Sequence, residues 1–219
     1  MTHRDSLILD FADNRFPRYN IAMDENSLAK TKLHIGCGRS ILDGYVHLDL
    51  VALPGVDVQA DLNDRESTPL PFAADSFDEI LGRHLIEHIR HPLAMMAELH
   101  RVAKNGATAI LATPYGSSDD AFEDPTHVRQ MFLNSWGYFS QPYFWRADYG
   151  YRGDWQTERI VLTLEMQGNE GRSPTEIMQD VKRFRNVVLE MTAFLRCVKP
   201  IREPKRELQQ APRIELNLI

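Results

Sequence analysis

The sequence has only two cysteines, Cys37 and Cys197, among 219 residues. Two cysteines give neither a disulfide framework nor the spacing of a metal site, so a reducing compartment is expected. No apolar run approaches the ~20 residues that cross a bilayer. Near the N-terminus, the apolar run at 7–9 lies between charged residues and is too short for a secretory signal. The sequence therefore predicts a cytoplasmic protein without a membrane span.

Basic residues are also few, since 25 Lys and Arg stand against 31 Asp and Glu, for a formal net charge of −6. This acidic balance argues against nucleic-acid binding, because such a surface must neutralise phosphates. The charge is uneven: residues 172–213 contain ten basic and five acidic residues, a local net charge of +5. We interpret this segment either as a solvated helical face or as a surface that faces an anionic substrate.

Strand-like and helix-like patterns alternate in the first half of the chain. Five short apolar runs are typical of buried strands: 32–35, 45–50, 56–60, 78–82 and 107–113. Between the last two, "HPLAMMAELHRVAKNG" has apolar residues at helical spacing. This alternation indicates a parallel sheet with crossover connections. Only six residues separate Gly38 from Tyr45, which leaves no room for a full first crossover helix.

The second half of the chain predicts two further strands and a helix. "QTERIVLTLEM" and the final "RIELNLI" alternate in polarity, as strands do. Between them, a helix is predicted to begin at Pro174 with Ser173 as its N-cap, and apolar residues recur three or four apart as far as Leu195. The sheet would then have seven strands, with the last one antiparallel and a helical insertion at about 168–211 before it. Residues 1–30 are predicted to form an N-terminal arm or helix.

Several residues at the predicted strand ends suit a nucleoside. In sheets of this kind, ligands bind outside the carboxyl ends of the parallel strands. The turn "GCG" at 36–38 follows the first strand, and its two glycines allow close approach of backbone to a ligand. Asp49 ends the second strand and can accept hydrogen bonds from a ribose diol, whereas Asp61 follows the third strand and can accept one from an adenine amino group. Together these residues predict an adenosine site.

Three stretches carry a resemblance to a known family: "KLHIGCGRSILDGYVHLDL", "VDVQADLNDRESTPLPFAADSFDEILGRHLIEHI" and "LHRVAKNGATAILATP". They resemble class I S-adenosylmethionine-dependent methyltransferases of the type 11 kind, over roughly residues 31–114. The most specific part is a proline–aromatic loop, an acidic turn, a buried strand and a Glu-His pair, in that order. In addition, "EDPTHVRQMF" is similar to a segment of a bacterial subgroup associated with carbohydrate or cell-surface biosynthesis.

This resemblance implies a Rossmann-like methyltransferase domain over residues 31–219, with S-adenosylmethionine as cofactor and S-adenosylhomocysteine as product. It also implies cofactor contacts for seven residues. Gly36, Cys37 and Gly38 would contact the methionine portion, Asp49 the ribose, Asp61 and Leu62 the adenine, and His84 would lie beside the methyl group. The chain departs from the family pattern at His34, where an acidic residue is frequent.

The catalytic candidates are mainly histidines, because a general base assists methyl transfer to a hydroxyl. His127 is predicted as a base or substrate contact, with Asp124 three residues earlier to orient its imidazole, and His84 is the second candidate. His88 is predicted to be structural. His84, His88 and His91 raise the possibility of zinc, because the first two are four residues apart, as ligands on one helix face can be. Spacing identifies no third ligand, so no metal is predicted.

The predicted function is methyl transfer to an oxygen or nitrogen of a small molecule, with carbohydrate and anionic acceptors as options. A non-catalytic adenosine-binding or partner protein with the same fold remains an alternative, because fold does not fix function. A nucleotide-dependent oxidoreductase is a further alternative. It is disfavoured because Ile41 replaces the third glycine of the G-x-G-x-x-G motif.

Overall fold

The computed structural model describes residues 30–64 and 68–219, so all of the predicted N-terminal arm except Lys30 lies outside the described residues. Eight strands form one sheet. They are β1 (Lys32–Ile35), β2 (Tyr45–Asp49), β3 (Val58–Gln59), β4 (Phe77–Arg83), β5 (Ala103–Pro114), β6 (Trp155–Leu164), β7 (Glu190–Cys197) and β8 (Arg213–Leu218).

The helices in the described part of the chain are few and short. The α-helices are α1 (Pro92–Val102), α2 (Asp120–Glu123) and α3 (Pro174–Arg183). Short 3-10 helices cover Ile86–His88, Leu133–Phe139, Gln141–Trp145 and Arg206–Leu208. Among these helices, none has the length and apolarity that crossing a bilayer requires.

The strand order is β3-β2-β1-β4-β5-β7-β6-β8. Neighbours from β3 to β5 pair in parallel, β7 is antiparallel to both β5 and β6, and β8 is parallel to β6. The predicted fold class, a Rossmann-like and mostly parallel α/β sheet, is confirmed. Two details differ, since the sheet has eight strands rather than seven, and its antiparallel strand is β7 rather than the last strand.

The prediction of a long helix after Pro174 was wrong beyond residue 183. Ser173 caps α3 as predicted, and its hydroxyl accepts a hydrogen bond from the Glu176 backbone N–H. The helix ends at Arg183, and Asn186 then adopts a left-handed φ of 60°. Buried residues alternate along the following strand, β7, with period two. Met191 and Leu195 are four residues apart because every second residue of β7 is buried, and this spacing was mistaken for a helical one.

The connections between β1 and β4 contain no α-helix among the described residues, in agreement with the short link after Gly38. The main crossover helix is α1, which joins β4 to β5. Its buried side chains include Met95, Met96 and Leu99, all with no exposed surface. Trp155 at the start of β6 is equally buried, and its indole Nε1–H donates to the Met96 carbonyl at 2.9 Å. This contact joins α1 to the second half of the sheet.

A buried ion pair holds together the segments around the start of β6. Asp154 has no exposed surface, and its carboxylate accepts hydrogen bonds from Nε and a terminal nitrogen of Arg202 at 2.7 and 2.8 Å. The backbone N–H groups of Gln141 and Arg202 also donate to it, at 3.2 and 3.1 Å. These bonds satisfy both carboxylate oxygens, and the Arg202 loop thereby becomes part of the core.

We expect Arg202→Ala to lower the free energy of unfolding by about 3–5 kcal/mol, because it leaves the buried Asp154 carboxylate without its cation. Urea unfolding followed by circular dichroism measures this change. Arg152→Ala is the control, since Arg152 and its partner Asp148 are more than half exposed, and an exposed pair contributes about 0–1 kcal/mol. Equal losses in both variants would show that burial does not determine the contribution of Arg202.

Candidate functional site

The carboxyl ends of β3, β2, β1, β4 and β5 are adjacent along one edge of the sheet. The register aligns Ile35 of β1 with Gly82 of β4, and Arg83 of β4 with Ala112 of β5. The predicted site residues therefore follow one another along this edge. Their order is Asp61, Asp49, the turn at 36–38, His84 and then Tyr115 after β5.

The glycine turn after β1 has the conformation that glycine makes possible. Gly36 and Gly38 have φ of +59° and +54°, in the left-handed region that L side chains rarely adopt. A Cβ at Gly36 would lie 2.8 Å from Leu85 Cδ1, whereas a Cβ at Gly38 would meet no atom within 4 Å. Gly36 is thus constrained by packing, and Gly38 faces open space. Cys37 between them is buried, and desolvation raises the pKa of its thiol to about 11.

Asp49 fixes the position of this turn. Its Oδ2 accepts a hydrogen bond from the Gly38 N–H at 2.8 Å, and its Oδ1 accepts one from the Val51 N–H at 2.9 Å. A carboxylate has about four lone-pair sites, so two bonds leave capacity for hydroxyl donors. The side chain is half-buried. The residues present therefore fit a ribose beside the open surface of Gly38.

The two residues predicted to flank the adenine differ in environment. Asp61 is exposed, and its Oδ1 accepts a hydrogen bond from the Asn63 N–H at 2.8 Å. Leu62 is 5% exposed and belongs to the apolar core. Asp61 can still accept from an amino group, whereas Leu62 supports this end of the site mainly through packing.

His84 lies directly after β4 in a left-handed conformation, with φ of 49°. Its Nε2 is 2.9 Å from Glu190 Oε2, and its Nδ1 is 3.6 Å from Glu87 Oε1. The hydrogen bond to Glu190, followed by the nearby negative charge of Glu87, raises the pKa of His84 to about 10. The same contact with His84 lowers the pKa of Glu190. At neutral pH the ring is an imidazolium, so it has no lone pair with which to act as a base.

His127 lies in the loop after α2 and is nearly buried. Its Nδ1 is 3.3 Å from the Ala121 carbonyl oxygen, which can only accept, so Nδ1 carries the proton. The Nε2 is 3.9 Å from Asp124 Oδ2, too far for the predicted hydrogen bond. Asp124 instead accepts from the backbone N–H and the hydroxyl of Thr126. The structure therefore does not pair Asp124 directly with His127.

Two carboxylates near these histidines were not predicted as site residues. Glu190 lay within the helix that was predicted in place of β7, and only its strand register brings it to the edge, opposite Pro114. Glu87 was recognised only as part of the Glu-His pair. It lies 3.6 Å from His84 and also beside His127. The apolar neighbours of Glu87 in "LIEHI" are the only sequence signal of its burial.

A cleft of ≈ 390 Å³ opens after β5 at the same edge. Its lining combines apolar and basic side chains. The lining residues are Tyr115, Ser117, Phe132, Leu133, Met178, Val181, Lys182, Arg183, Phe184 and Arg185. Arg185 pairs with Asp119, whereas no ion pair of Lys182 or Arg183 is found within the described part of the chain. Part of the basic 172–213 segment therefore faces a cleft, and an apolar molecule with an anionic group would suit this lining.

Residues 33–111 match the sequence model of a methyltransferase domain family. Solved structures also match the chain. A SAM dependent methyltransferase from Archaeoglobus fulgidus has 14% identity and a TM-score of 0.55, with 78% of this chain and 88% of that chain covered. The YcgJ protein from Bacillus subtilis has 15% identity and a TM-score of 0.47, with 76% and 91% covered. A SAM dependent methyltransferase from Aquifex aeolicus has 15% identity and a TM-score of 0.44, with 80% and 86% covered.

No curated protein matches the chain significantly. At 14% identity, the similarity to the Archaeoglobus fulgidus enzyme concerns the fold alone. The resemblance to class I S-adenosylmethionine-dependent methyltransferases is nevertheless confirmed, because the family match lies within the predicted 31–114 and the fold agrees independently. The family match also supports S-adenosylmethionine as the cofactor.

The contact between His84 and Glu190 generates a prediction about pH. His84 should remain protonated across neutral pH and titrate near pH 10, as followed by NMR of the ring carbon-bound protons. Because its folded pKa is raised from 6.5, its contribution to stability is complete below pH 6.5 and is lost as the pH rises through about 10. Glu190→Gln should lower this pKa, whereas Glu158→Gln on β6 should not. A wild-type His84 that titrates near pH 6.5 would contradict this assignment.

Proposed function

We propose that this protein is an enzyme that transfers a methyl group from S-adenosylmethionine to an oxygen or nitrogen of a small molecule that carries an anionic group. The observation that carries the proposal is an arrangement at one sheet edge. The glycine turn, bonded to Asp49, lies two strands from the end of β5, where the partly basic cleft opens.

The cofactor half of the proposal rests on groups that are already in place. Asp49 holds the Gly38 N–H and retains acceptor capacity, which suits the hydroxyls of a ribose. Gly36, Cys37 and Gly38 would contact the methionine portion, and Asp61 would accept from the adenine amino group. Since Asp49 and the turn fix each other, this half of the site is organised before the cofactor binds.

S-adenosylmethionine supplies, when bound, a methyl group that its sulfonium has already activated. The residues of the chain therefore mainly have to exclude water and to hold the acceptor atom in line with the methyl, at about 3 Å. In this proposal Phe132 and Phe184 contact the apolar part of the acceptor, because both line the cleft and are exposed. Lys182 and Arg183 would bind its anionic group.

The two histidines predicted as bases have different roles in this proposal. His84 would lie beside the methyl group as an imidazolium, where it orients the site through Glu190 and Glu87. His127 has a fixed tautomer with a lone pair on Nε2, so it is the better suited of the two to accept a proton. An amine acceptor in its neutral form would need neither histidine as a base.

Calorimetric titration of S-adenosylhomocysteine, with NAD⁺ as the comparison ligand, tests the cofactor half. We expect micromolar binding of S-adenosylhomocysteine alone. Asp49→Ala should weaken it roughly 10- to 100-fold, the effect of losing a hydrogen bond to a charged group. Asp78→Ala is the matched control, because Asp78 lies near the amino end of β4, at the opposite edge, in an exposed pair with Lys104. NAD⁺ binding without S-adenosylhomocysteine binding would overturn the proposal.

Turnover tests the acceptor half. Radiolabelled methyl transfer is measured to hydroxylated and amino compounds, including sugars and glycosides, in matched pairs with and without a carboxylate or phosphate. We expect the anionic member of a pair to be preferred, and Lys182→Ala to raise its KM more than it lowers kcat. Binding of S-adenosylhomocysteine with no turnover of any pair would instead favour a non-catalytic protein with this fold.

A further inference from the structure

Three side chains outside the proposed cofactor contacts converge beside His84. Glu87 and His88 lie in the 3-10 helix that follows β4, and His127 lies in the loop after α2. One potential ligand atom from each residue lies within 4.8 Å of the others. The His88 and His127 rings also contact edge to face, with centroids 4.7 Å apart. Two loops from different strands thus contribute one group of ligating atoms.

Glu87 is the unusual member of this cluster. It is 2% exposed, and neither carboxylate oxygen has a hydrogen-bond partner within the described residues. Its nearest cation is His84, whose Nδ1 is 3.6 Å away, which is beyond a normal hydrogen bond. A buried carboxylate without donors is costly unless it is paired or coordinates a metal. The other deeply buried carboxylate described above, Asp154, has several donors.

Both histidines have their tautomers fixed from outside the cluster. The Thr126 hydroxyl donates to Asp124 Oδ1 at 2.6 Å, so it must accept from His88 Nδ1–H at 3.0 Å. The Ala121 carbonyl likewise accepts from His127 Nδ1–H. Each ring therefore has its lone pair on Nε2. Metal-bound histidines commonly donate their other ring N–H to such a partner, which fixes ring orientation.

We propose that Glu87, His88 and His127 bind a divalent transition-metal ion of the zinc type. Two imidazole nitrogens and one carboxylate suit Zn²⁺ or Fe²⁺ and leave a position for water or substrate, whereas Mg²⁺ prefers oxygen ligands. Tetrahedral Zn²⁺ places its ligand atoms about 3.3 Å apart, so side-chain rotations of modest size close the cluster. The histidine spacing in the sequence pointed to His88 as a zinc ligand, but it did not point to His127, which lies in the second loop.

A nitrogen that ligates a metal cannot accept a proton, so this assignment replaces the base role of His127. The ion would also neutralise Glu87 and link the loop after α2 to the loop after β4. These loops already contact each other through the Val128 N–H, which donates to the Glu87 carbonyl at 2.9 Å, and through Arg129, which donates to the Ile89 and Arg90 carbonyls.

The test is titration of the chelator-treated full chain with Co²⁺, followed by its visible d–d absorption, and then displacement with Zn²⁺. We expect one Co²⁺ per chain with a low-symmetry, four- or five-coordinate spectrum. Glu87→Gln, His88→Ala and His127→Ala should each weaken binding at least 10- to 100-fold, since even the partners that orient metal ligands contribute this much. Thr126→Val removes only the hydroxyl that accepts a hydrogen bond from His88, and it should also weaken Co²⁺ binding.

His91→Ala is the matched control, because His91 is an exposed histidine of the loop before α1 that is outside the cluster. It should bind Co²⁺ as the wild type does. Circular dichroism and S-adenosylhomocysteine titration of the variants separate lost ligands from lost folding. The metal measurement needs no methyl donor, so its outcome is independent of the methyl-transfer proposal. A wild type that binds no Co²⁺ or Zn²⁺, or binding that survives in Glu87→Gln and His127→Ala, would overturn the proposal.

Discussion

The candidate site depends on the antiparallel insertion of β7 between β5 and β6. This pairing aligns Glu190 with Pro114, so that the first residue of β7 lies at the edge where the parallel strands end. Glu190 there contacts His84, the residue that follows β4. The direction of β7 also requires α3 to approach from the same edge, and α3 provides one side of the cleft. The antiparallel orientation of β7 therefore brings the Glu190 carboxylate and the α3 side of the cleft to the edge that holds the predicted cofactor residues.

The buried carboxylates of the chain differ in whether they have hydrogen-bond donors. Asp154 is completely buried and bonded to Arg202, and Glu98 accepts from Arg101 and from the Leu70 N–H. Each of these satisfied carboxylates joins separate segments of the fold. Glu87 is equally buried and has no donor among the described residues. The contrast between Glu87 and the first two carboxylates is the observation on which the metal proposal rests.

The sequence predicted the first half of the fold better than the second. Between residues 30 and 114, buried strands and one amphipathic helix have clear and different periods, so β1 to β5 and α1 were recognised. The segment after Arg183 was ambiguous, because Val188, Met191 and Leu195 fit a helical spacing while β7 buries every second residue. The cofactor candidates were chosen because each follows a strand end, and they stay predictions. Glu87 and Glu190 were not, because their importance arises from burial and register, which depend on the tertiary structure.

The same distinction bears on the mechanism. Sequence position made His127 the first candidate for a base and His84 the second, and their partners separate them further. The two carboxylates beside His84 favour its charged form, whereas the Ala121 carbonyl fixes the tautomer of His127, whose ring lies beside Glu87. In the metal proposal, the ion would lie between the Glu87 carboxylate and the rings of His88 and His127. A divalent ion there would lower the pKa of an acceptor hydroxyl bound to it. The site would then activate its acceptor by coordination, where an isolated histidine would have done so by proton transfer.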